Sequence, residues 1–237
     1  MLVPELLDWS YAKLDPDLRK SFEVALHAGT ATALAIALRR EVVDVLRTLD
    51  RRRVVRHSLT LIPVATMALV FERAIEQRLG SARRVAVAQI LGGLALGCAD
   101  SRPAVRDADD AGTFDYLAIG LAQAMALAPG VSRNGATLTA ARLRRFAHPA
   151  ANRLSRHAAL PVIAAASALK GSRLARRGLA PELAATFAAG AAAAFCSTLA
   201  SAQLVAALDR APSYVPFAAY RVGLGGLVIA ARRGRPA

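Results

Sequence analysis

The chain has 237 residues and a formal net charge of +14 at pH 7, with 55% hydrophobic and 20% charged residues. Its mean hydropathy is +0.35 despite that charge. This combination argues against an ordinary soluble domain, because the apolar residues form long runs and the arginines collect between them, as in polytopic helical membrane proteins. Arginine clusters beside apolar runs suit anionic lipid headgroups, so we expect a membrane and no nucleic acid as partner.

Seven apolar runs follow one another along the chain, at 24–38, 58–71, 85–99, 116–130, 157–169, 183–208 and 216–231. Several are shorter than the ~20 residues that a membrane span needs, so adjoining turns would extend them. The sixth run is uncharged, and its alanines and glycines would let helices approach closely. We predict an all-α, polytopic integral membrane protein with a single domain over residues 1–237.

Two of the segments between these runs are strongly polar. The arginine-rich residues 39–57 and the polar residues 100–115 are both predicted to be loops. Cys98 and Cys196 lie far apart inside apolar runs, where two buried thiols most often behave as small hydrophobic residues.

The sequence PGVSRNGAT, at residues 129–137, interrupts the fourth run. A Pro-Gly break at membrane depth is tolerated only where the backbone lines a cavity or is packed in protein. Arg133 is permanently charged and suits bidentate contact with phosphate. Gly130 and Gly135 allow the backbone to turn closely around an anion. The pattern predicts a phosphate cradle, although a short solvated loop would have the same composition.

PGVSRNGAT resembles the second signature of the undecaprenyl-diphosphatase (bacitracin-resistance) family, approximately PGxSRSGAT, which lies in a re-entrant helical hairpin. The segments FEVALHAGT, GLAQAMALAPG, AANRLSRHAALPV and PFAAYR resemble other parts of the same family. The resemblance implies an inverted-repeat architecture in a bacterial plasma membrane. It also implies hydrolysis of undecaprenyl diphosphate to undecaprenyl phosphate and inorganic phosphate, which recycles the lipid carrier for peptidoglycan synthesis and gives bacitracin resistance.

The resemblance also assigns roles within the motif. Arg133 would clamp a phosphate, Ser132 would be a hydrogen-bond partner or nucleophile at the reacting group, and Thr137 would support the site. Substrate-binding positions would be Gly130, Asn134 and Gly135. Asn134 stands where the family usually has serine, and its amide cannot act as a hydroxyl nucleophile.

A first family signature, approximately EGxTEFLPISSSGHL, supplies two glutamates, serines and a histidine, and no segment of this sequence resembles it. The opening MLVPELLDW resembles the stretch that follows that signature. We therefore expect half of the family's site to be missing here. A divalent cation, Mg²⁺ or Ca²⁺, is compatible with the chemistry, but its ligands cannot be identified in this sequence.

Other polar residues offer no convincing substitute for the missing groups. Glu72 and Glu76 share a helix face with arginines, which indicates a solvated ion-paired surface. His27 lies in an apolar run and is expected to be packed or hydrogen-bonded. The remaining acidic group reads as a polar loop and consists of Asp107, Asp109 and Asp110.

Two other functions remain open from the sequence. One is a non-catalytic protein that binds or carries a polyprenyl pyrophosphate, in which the arginine cradle survives without hydrolysis. The other is a small-molecule transporter, since broken helices are also a transporter feature. A homo-oligomer is compatible with each of them.

Overall fold

A computed structural model describes residues 15–47, 50–177, 181–208 and 212–233. In these ranges the chain is helical, apart from turns and a short 3-10 segment at Ala108–Asp110. The helices are α1 Pro16–Ala37, α2 Arg39–Arg47, α3 Arg51–Leu79, α4 Ala82–Asp100, α5 Thr113–Met125, α6 Arg133–Leu143, α7 His148–Arg177, α8 Pro181–Leu208 and α9 Val215–Arg233.

Three of the described helices are long and apolar enough to cross a membrane, and they contain the segments Arg51–Phe71, Ala82–Asp100 and Leu183–Ala202. A fourth candidate is the pair Ser21–Ala37 and Arg39–Val45, which is bent by 75°. The prediction of an all-α, polytopic membrane protein is therefore confirmed. The inverted-repeat relation stays a prediction.

The predicted loop at 39–57 is wrong, because α2 and the start of α3 run through it. Asp50 caps α3 by accepting a hydrogen bond of 2.7 Å from the Arg53 backbone N–H, which satisfies one of the first free amides of the helix. The loop predicted at 100–115 is confirmed between α4 and α5. Cys98 and Cys196 are free thiols on exposed helix surfaces rather than buried ones.

The described residues form two compact units, one made of 50–158 and 212–233 and the other of 15–47, 159–177 and 181–208. In the second unit α1 packs against α8. An added Cβ at Gly29 would collide with the Ala191 carbonyl, and the rings of Phe22 and Phe187 meet edge to face with centroids 5.5 Å apart. Small residues thus bring these two apolar helices together, as the composition of α8 predicts. The single-domain prediction for residues 1–237 stays a prediction.

In the first unit α4 packs against α6 and α9, and α5 packs against α3 and α6. A hydrophobic core joins α4 to α7 through buried side chains that include Leu96, Ile119, Leu138, Phe146 and Leu154. The motif residues 129–137 lie within this unit, between α5 and the first turns of α6.

Asp100, at the end of α4, fixes the ends of three other helices. Its carboxylate accepts hydrogen bonds of 2.7 Å from Ser213 Oγ and from the Tyr214 backbone N–H, just before α9. It also contacts His148 Nε2 at 2.7 Å and Arg142 Nε at 3.3 Å. Because Arg142 belongs to α6 and His148 begins α7, this one carboxylate sets where α6, α7 and α9 start or end.

A second buried carboxylate, Asp115, lies in the first turn of α5. It accepts hydrogen bonds from Arg106 Nη2 at 2.7 Å, Arg144 Nε at 2.6 Å and the Gly112 backbone N–H at 2.8 Å. Burial acts to raise the pKa of Asp115, but the hydrogen bonds from Arg106, Gly112 and Arg144 outweigh it and lower that pKa from 3.8 to about 2. The loop between α4 and α5 is thereby tied to the end of α6.

Because the pKa of Asp115 is lower in the folded chain than in the unfolded one, its carboxylate contributes stability above about pH 4 that is lost as the pH falls toward 2. We expect Asp115→Asn to lower the free energy of unfolding at pH 7 by about 2 kcal/mol, and the difference to disappear near pH 2. Unfolding followed by circular dichroism in detergent across this range measures it.

The matched control is Asp109→Asn, since the Asp109 side chain is 93% exposed and its ion pair with Arg153 is long, at 3.9 Å. This variant should unfold like the parent chain at every pH. A destabilisation by Asp115→Asn that is the same at pH 2 and pH 7 would contradict the ionic account of the Asp115 cluster.

Candidate active site

The motif is a tight turn between α5 and α6. Backbone hydrogen bonds close successive turns from Ala126 to Val131. Gly130 has φ of +93°, and an added Cβ there would collide with the Val85 carbonyl of α4. Only glycine readily adopts this left-handed backbone and also allows so close an approach to α4. The prediction that Gly130 lets the backbone turn tightly therefore has a direct physical basis.

Ser132 is the N-cap of α6. Its Oγ accepts a hydrogen bond of 3.1 Å from the Gly135 backbone N–H, and the side chain is exposed. The cap satisfies one of the first amides of α6 and holds the hydroxyl at the helix N-terminus, where the remaining amides favour an anion. The Ser132 hydroxyl keeps its own proton to donate to a ligand.

Arg133 is the first residue of α6 and is only partly exposed. Its Nη1 is fully buried and has no hydrogen-bond partner among the described residues. A buried guanidinium N–H without an acceptor costs free energy, of the order of 1–3 kcal/mol or more for a charged group. A guanidinium group at the start of a helix is suited to donate to an anion such as phosphate.

A second arginine, Arg221 of α9, reaches the same turn. It is 7% exposed, and its Nη2 donates to the Gly130 carbonyl at 3.1 Å. The guanidinium occupies space left by two glycines, since an added Cβ would lie 2.5 Å from Nη2 at Gly92 and 2.7 Å from Nη1 at Gly135. Its Nε is buried, again with no acceptor within the described ranges. The Arg221 guanidinium therefore lines the turn, and Arg133 begins α6 directly after it.

Thr137 lies beneath the turn rather than in it. The side chain is buried, and its Oγ1 contacts Ser155 Oγ at 2.6 Å. Ser155 donates to Asn134 Oδ1 at 2.8 Å, which leaves the Asn134 amide N–H groups to donate outward. This chain of hydrogen bonds couples α7 to the first turn of α6 and fixes the Asn134 side chain.

The six predicted positions lie in this turn or directly beneath it, and their environments differ. Ser132 and Asn134 are exposed, Arg133 is partly buried, and Thr137 is 1% exposed and so placed to position the turn rather than to touch a ligand. The sequence interpretation missed Arg221 and Ser155 as parts of the site. The signal for Arg221 was present, because a charged residue inside an apolar run usually faces a functional cavity.

The residues considered as substitutes for acidic groups lie elsewhere. Asp107 and Asp110 cap the short 3-10 turn through the Asp107 N–H and Asp110 Oδ2 at 2.7 Å. His27 is exposed on α1, and the side chains of Glu72 and Glu76 lie outside what the structure describes. In the described part of the chain no group of three or more His, Cys, Asp or Glu side chains could hold a metal ion.

Comparison with known proteins decides the family. The profile of the BacA family, the bacitracin resistance protein BacA, matches residues 1–227. The chain belongs to the BacA family.

Relatives within the BacA family are similar along most of their length. An undecaprenyl-diphosphatase of Chromohalobacter salexigens is 36% identical over 95% of this chain and 87% of its own. One of Geobacter sulfurreducens is 36% identical over 97% of this chain and 88% of its own, and one of Burkholderia mallei is 31% identical over 93% and 84%. The predicted resemblance to this family is thus confirmed.

The space around Arg221 gives a test of the BacA-family site. We expect Gly92→Ala to displace the guanidinium from the Gly130 carbonyl and to weaken binding of inorganic pyrophosphate about tenfold. The fold should not suffer, because alanine is favoured over glycine by about 1 kcal/mol inside a helix. Isothermal titration and thermal unfolding measure the two effects separately.

Gly97→Ala is the matched control on the same helix, since its Cβ would make an ordinary contact at 3.5 Å with the Ala218 side chain. It should leave pyrophosphate affinity unchanged. Equal affinity for pyrophosphate in the Gly92→Ala and Gly97→Ala variants would show that the position of Arg221 does not matter for binding.

Proposed function

We propose that this chain hydrolyses undecaprenyl diphosphate to undecaprenyl phosphate and inorganic phosphate, and so recycles the lipid carrier for peptidoglycan synthesis and confers bacitracin resistance. The names of its curated relatives support the reaction. The observation that carries the proposal is a pair of arginines, Arg133 at the start of α6 and Arg221 in contact with the Gly130 carbonyl. Each has a buried N–H with no acceptor within the described residues.

The reaction breaks the bond between the terminal phosphorus and the bridging oxygen, and water supplies the new oxygen on the released phosphate. Negative charge builds up on the bridging oxygen as the bond breaks, so fixed cationic donors lower the barrier. In the proposed complex Arg133 and Arg221 donate to the phosphate oxygens. The first amides of α6 and the Ser132 hydroxyl donate to the same group.

Contacts within the protein hold these donors in position. Ser132 caps α6, Thr137 and Ser155 hold Asn134, and Gly130 allows the turn to lie against α4. Since the donors are in place before the substrate arrives, little reorganisation is needed at the moment of reaction.

The polyprenyl tail needs an apolar surface beside the turn. On α5, just before the motif, Leu121 is 53% exposed and Met125 is 61% exposed. In a bilayer these side chains face an apolar surrounding, where a prenyl chain also lies. We propose that the protein works in this way in the bacterial plasma membrane, and that it can do so as a homo-oligomer.

Phosphate release from undecaprenyl diphosphate in detergent micelles tests the proposal. We expect the 237-residue chain to release phosphate and Arg133→Ala to lower kcat/KM by about 10²–10³-fold, the usual effect of removing one donor to a developing negative charge. Arg39→Ala, which removes an exposed arginine from α2, should keep the parent rate.

Release that is the same in Arg133→Ala and in the parent chain would contradict the proposed role of Arg133. Binding of the lipid without release by the parent chain would contradict hydrolysis and favour the alternative, a polyprenyl pyrophosphate binder or carrier.

We also propose that a divalent cation, Mg²⁺ or Ca²⁺, assists the reaction, because pyrophosphate oxygens bind these hard cations directly. Phosphate release is therefore measured with each cation and with a chelator. Full activity after chelation would contradict a cation requirement.

A further inference from the structure

A second basic site lies in the unit that contains Asp50–Ala158, away from the motif. The first two turns of α3 carry Arg53, Arg56 and His57, and the start of α7 carries Arg153 and His157. Together with Asp109 these side chains line a cavity of about 110 Å³. Three arginines and two imidazoles thus face one small space with a single carboxylate.

The cavity is shaped by contacts that hold its walls in place. Arg56 lies over the Tyr116 ring with its guanidinium carbon 5.1 Å from the ring centroid, and its Nη2 contacts the Ala111 carbonyl at 3.4 Å. Arg153 Nη1 is 3.9 Å from Asp109 Oδ1, and Asp109 is 93% exposed. Because Asp109 is so exposed and the contact is long, this carboxylate can move away when another anion enters.

The size and the opening of the cavity fit a phosphate group. Its volume is well above the ~10–15 Å³ that one water molecule needs on the same measure, so several oxygens fit within it. Arg56 also lines a wider groove of about 450 Å³ together with Arg51 and Arg52. Arg56 thus lies between the small cavity and the wider groove.

This site does not share side chains with the motif. Arg153 and His157 are four residues apart and lie on one face of α7, whereas Ser155 lies midway between them and so on the opposite face. Ser155 is the residue that contacts Thr137 and Asn134 under the motif. The two faces of α7 thus serve two separate clusters.

On both helices the site lies where basic residues give way to apolar ones. The apolar part of the candidate span Arg51–Phe71 begins directly after His57, and α7 becomes apolar after His157. Basic pockets at the ends of membrane helices are where anionic lipid headgroups bind. Inorganic phosphate in solution presents the same negatively charged oxygens to the arginines.

We propose that Arg53, Arg56, His57, Arg153 and His157 form a second anion site that binds a phosphate group, carried by an anionic phospholipid or free in solution. The guanidinium groups donate to the phosphate oxygens and the imidazoles add further donors. Binding at this site does not depend on the hydrolysis proposed above. The proposal therefore holds whether or not the chain is an enzyme.

The test removes two of the arginines in the double variant Arg56→Gln/Arg153→Gln. The control is Arg39→Gln/Arg40→Gln, which removes the same charge from exposed positions on α2. All proteins carry Arg133→Gln, which weakens phosphate binding at the motif equally in the variant and in the control. Circular dichroism checks the fold, and the single variant Arg153→Gln, whose side chain is 50% exposed, is used if the double variant unfolds.

The two possible sources of the phosphate are measured separately. One arm titrates inorganic phosphate into protein in a neutral detergent. The other counts phosphatidylglycerol molecules retained in native mass spectrometry after extraction from phosphatidylcholine nanodiscs that contain phosphatidylglycerol.

We expect at least a tenfold loss of binding in the Arg56/Arg153 variant, and none in the Arg39/Arg40 control, in at least one arm. The arm that shows the loss identifies the source of the phosphate. Equal binding by the Arg56/Arg153 variant and the control in both arms would overturn the proposal.

Discussion

The site depends on one buried carboxylate, Asp100. It sits at the end of α4 and bonds to the starts of α7 and α9 and, through Arg142, to the end of α6. Arg142 adds bonds to the carbonyls of Asp100 and Arg102 at 2.9 and 2.6 Å. Breaking a buried ion pair of this kind costs about 3–5 kcal/mol, because the partner is left charged and unpaired. With these helix ends fixed, Arg133 begins α6 directly after the turn and Arg221 of α9 contacts the Gly130 carbonyl within it.

Burying a guanidinium group carries a desolvation cost. The chain lessens this cost with a carbonyl from Gly130 and with room made by glycines at 92 and 135. The N–H groups that still have no acceptor among the described residues belong to Arg133 Nη1 and Arg221 Nε. A doubly charged phosphate supplies acceptors and the opposite charge together.

Much of the fold could be predicted from the sequence, because apolar runs indicate membrane helices and polar or Pro-Gly segments indicate the breaks between them. The apolar runs at 58–71, 85–99 and 183–208 correspond to α3, α4 and α8, and PGVSRNGAT marks the turn. The segment 39–57 was predicted wrongly, since high charge indicates a loop but does not prevent a capped amphipathic helix. The place of Arg221 could not be predicted, because it depends on the packing of α9 against glycines of α4 and α6, more than eighty residues away in sequence.

We propose that Arg133 and Arg221 bind the same phosphate group. A double-mutant cycle tests whether they do. The affinity for a non-hydrolysable prenyl methylenediphosphonate is measured for the parent chain, Arg133→Gln, Arg221→Gln and the double variant. We expect a coupling free energy of at least about 1 kcal/mol, because each arginine contributes much less to the binding free energy once the other is removed. Strictly additive losses, or no loss from Arg221→Gln, would contradict a shared phosphate.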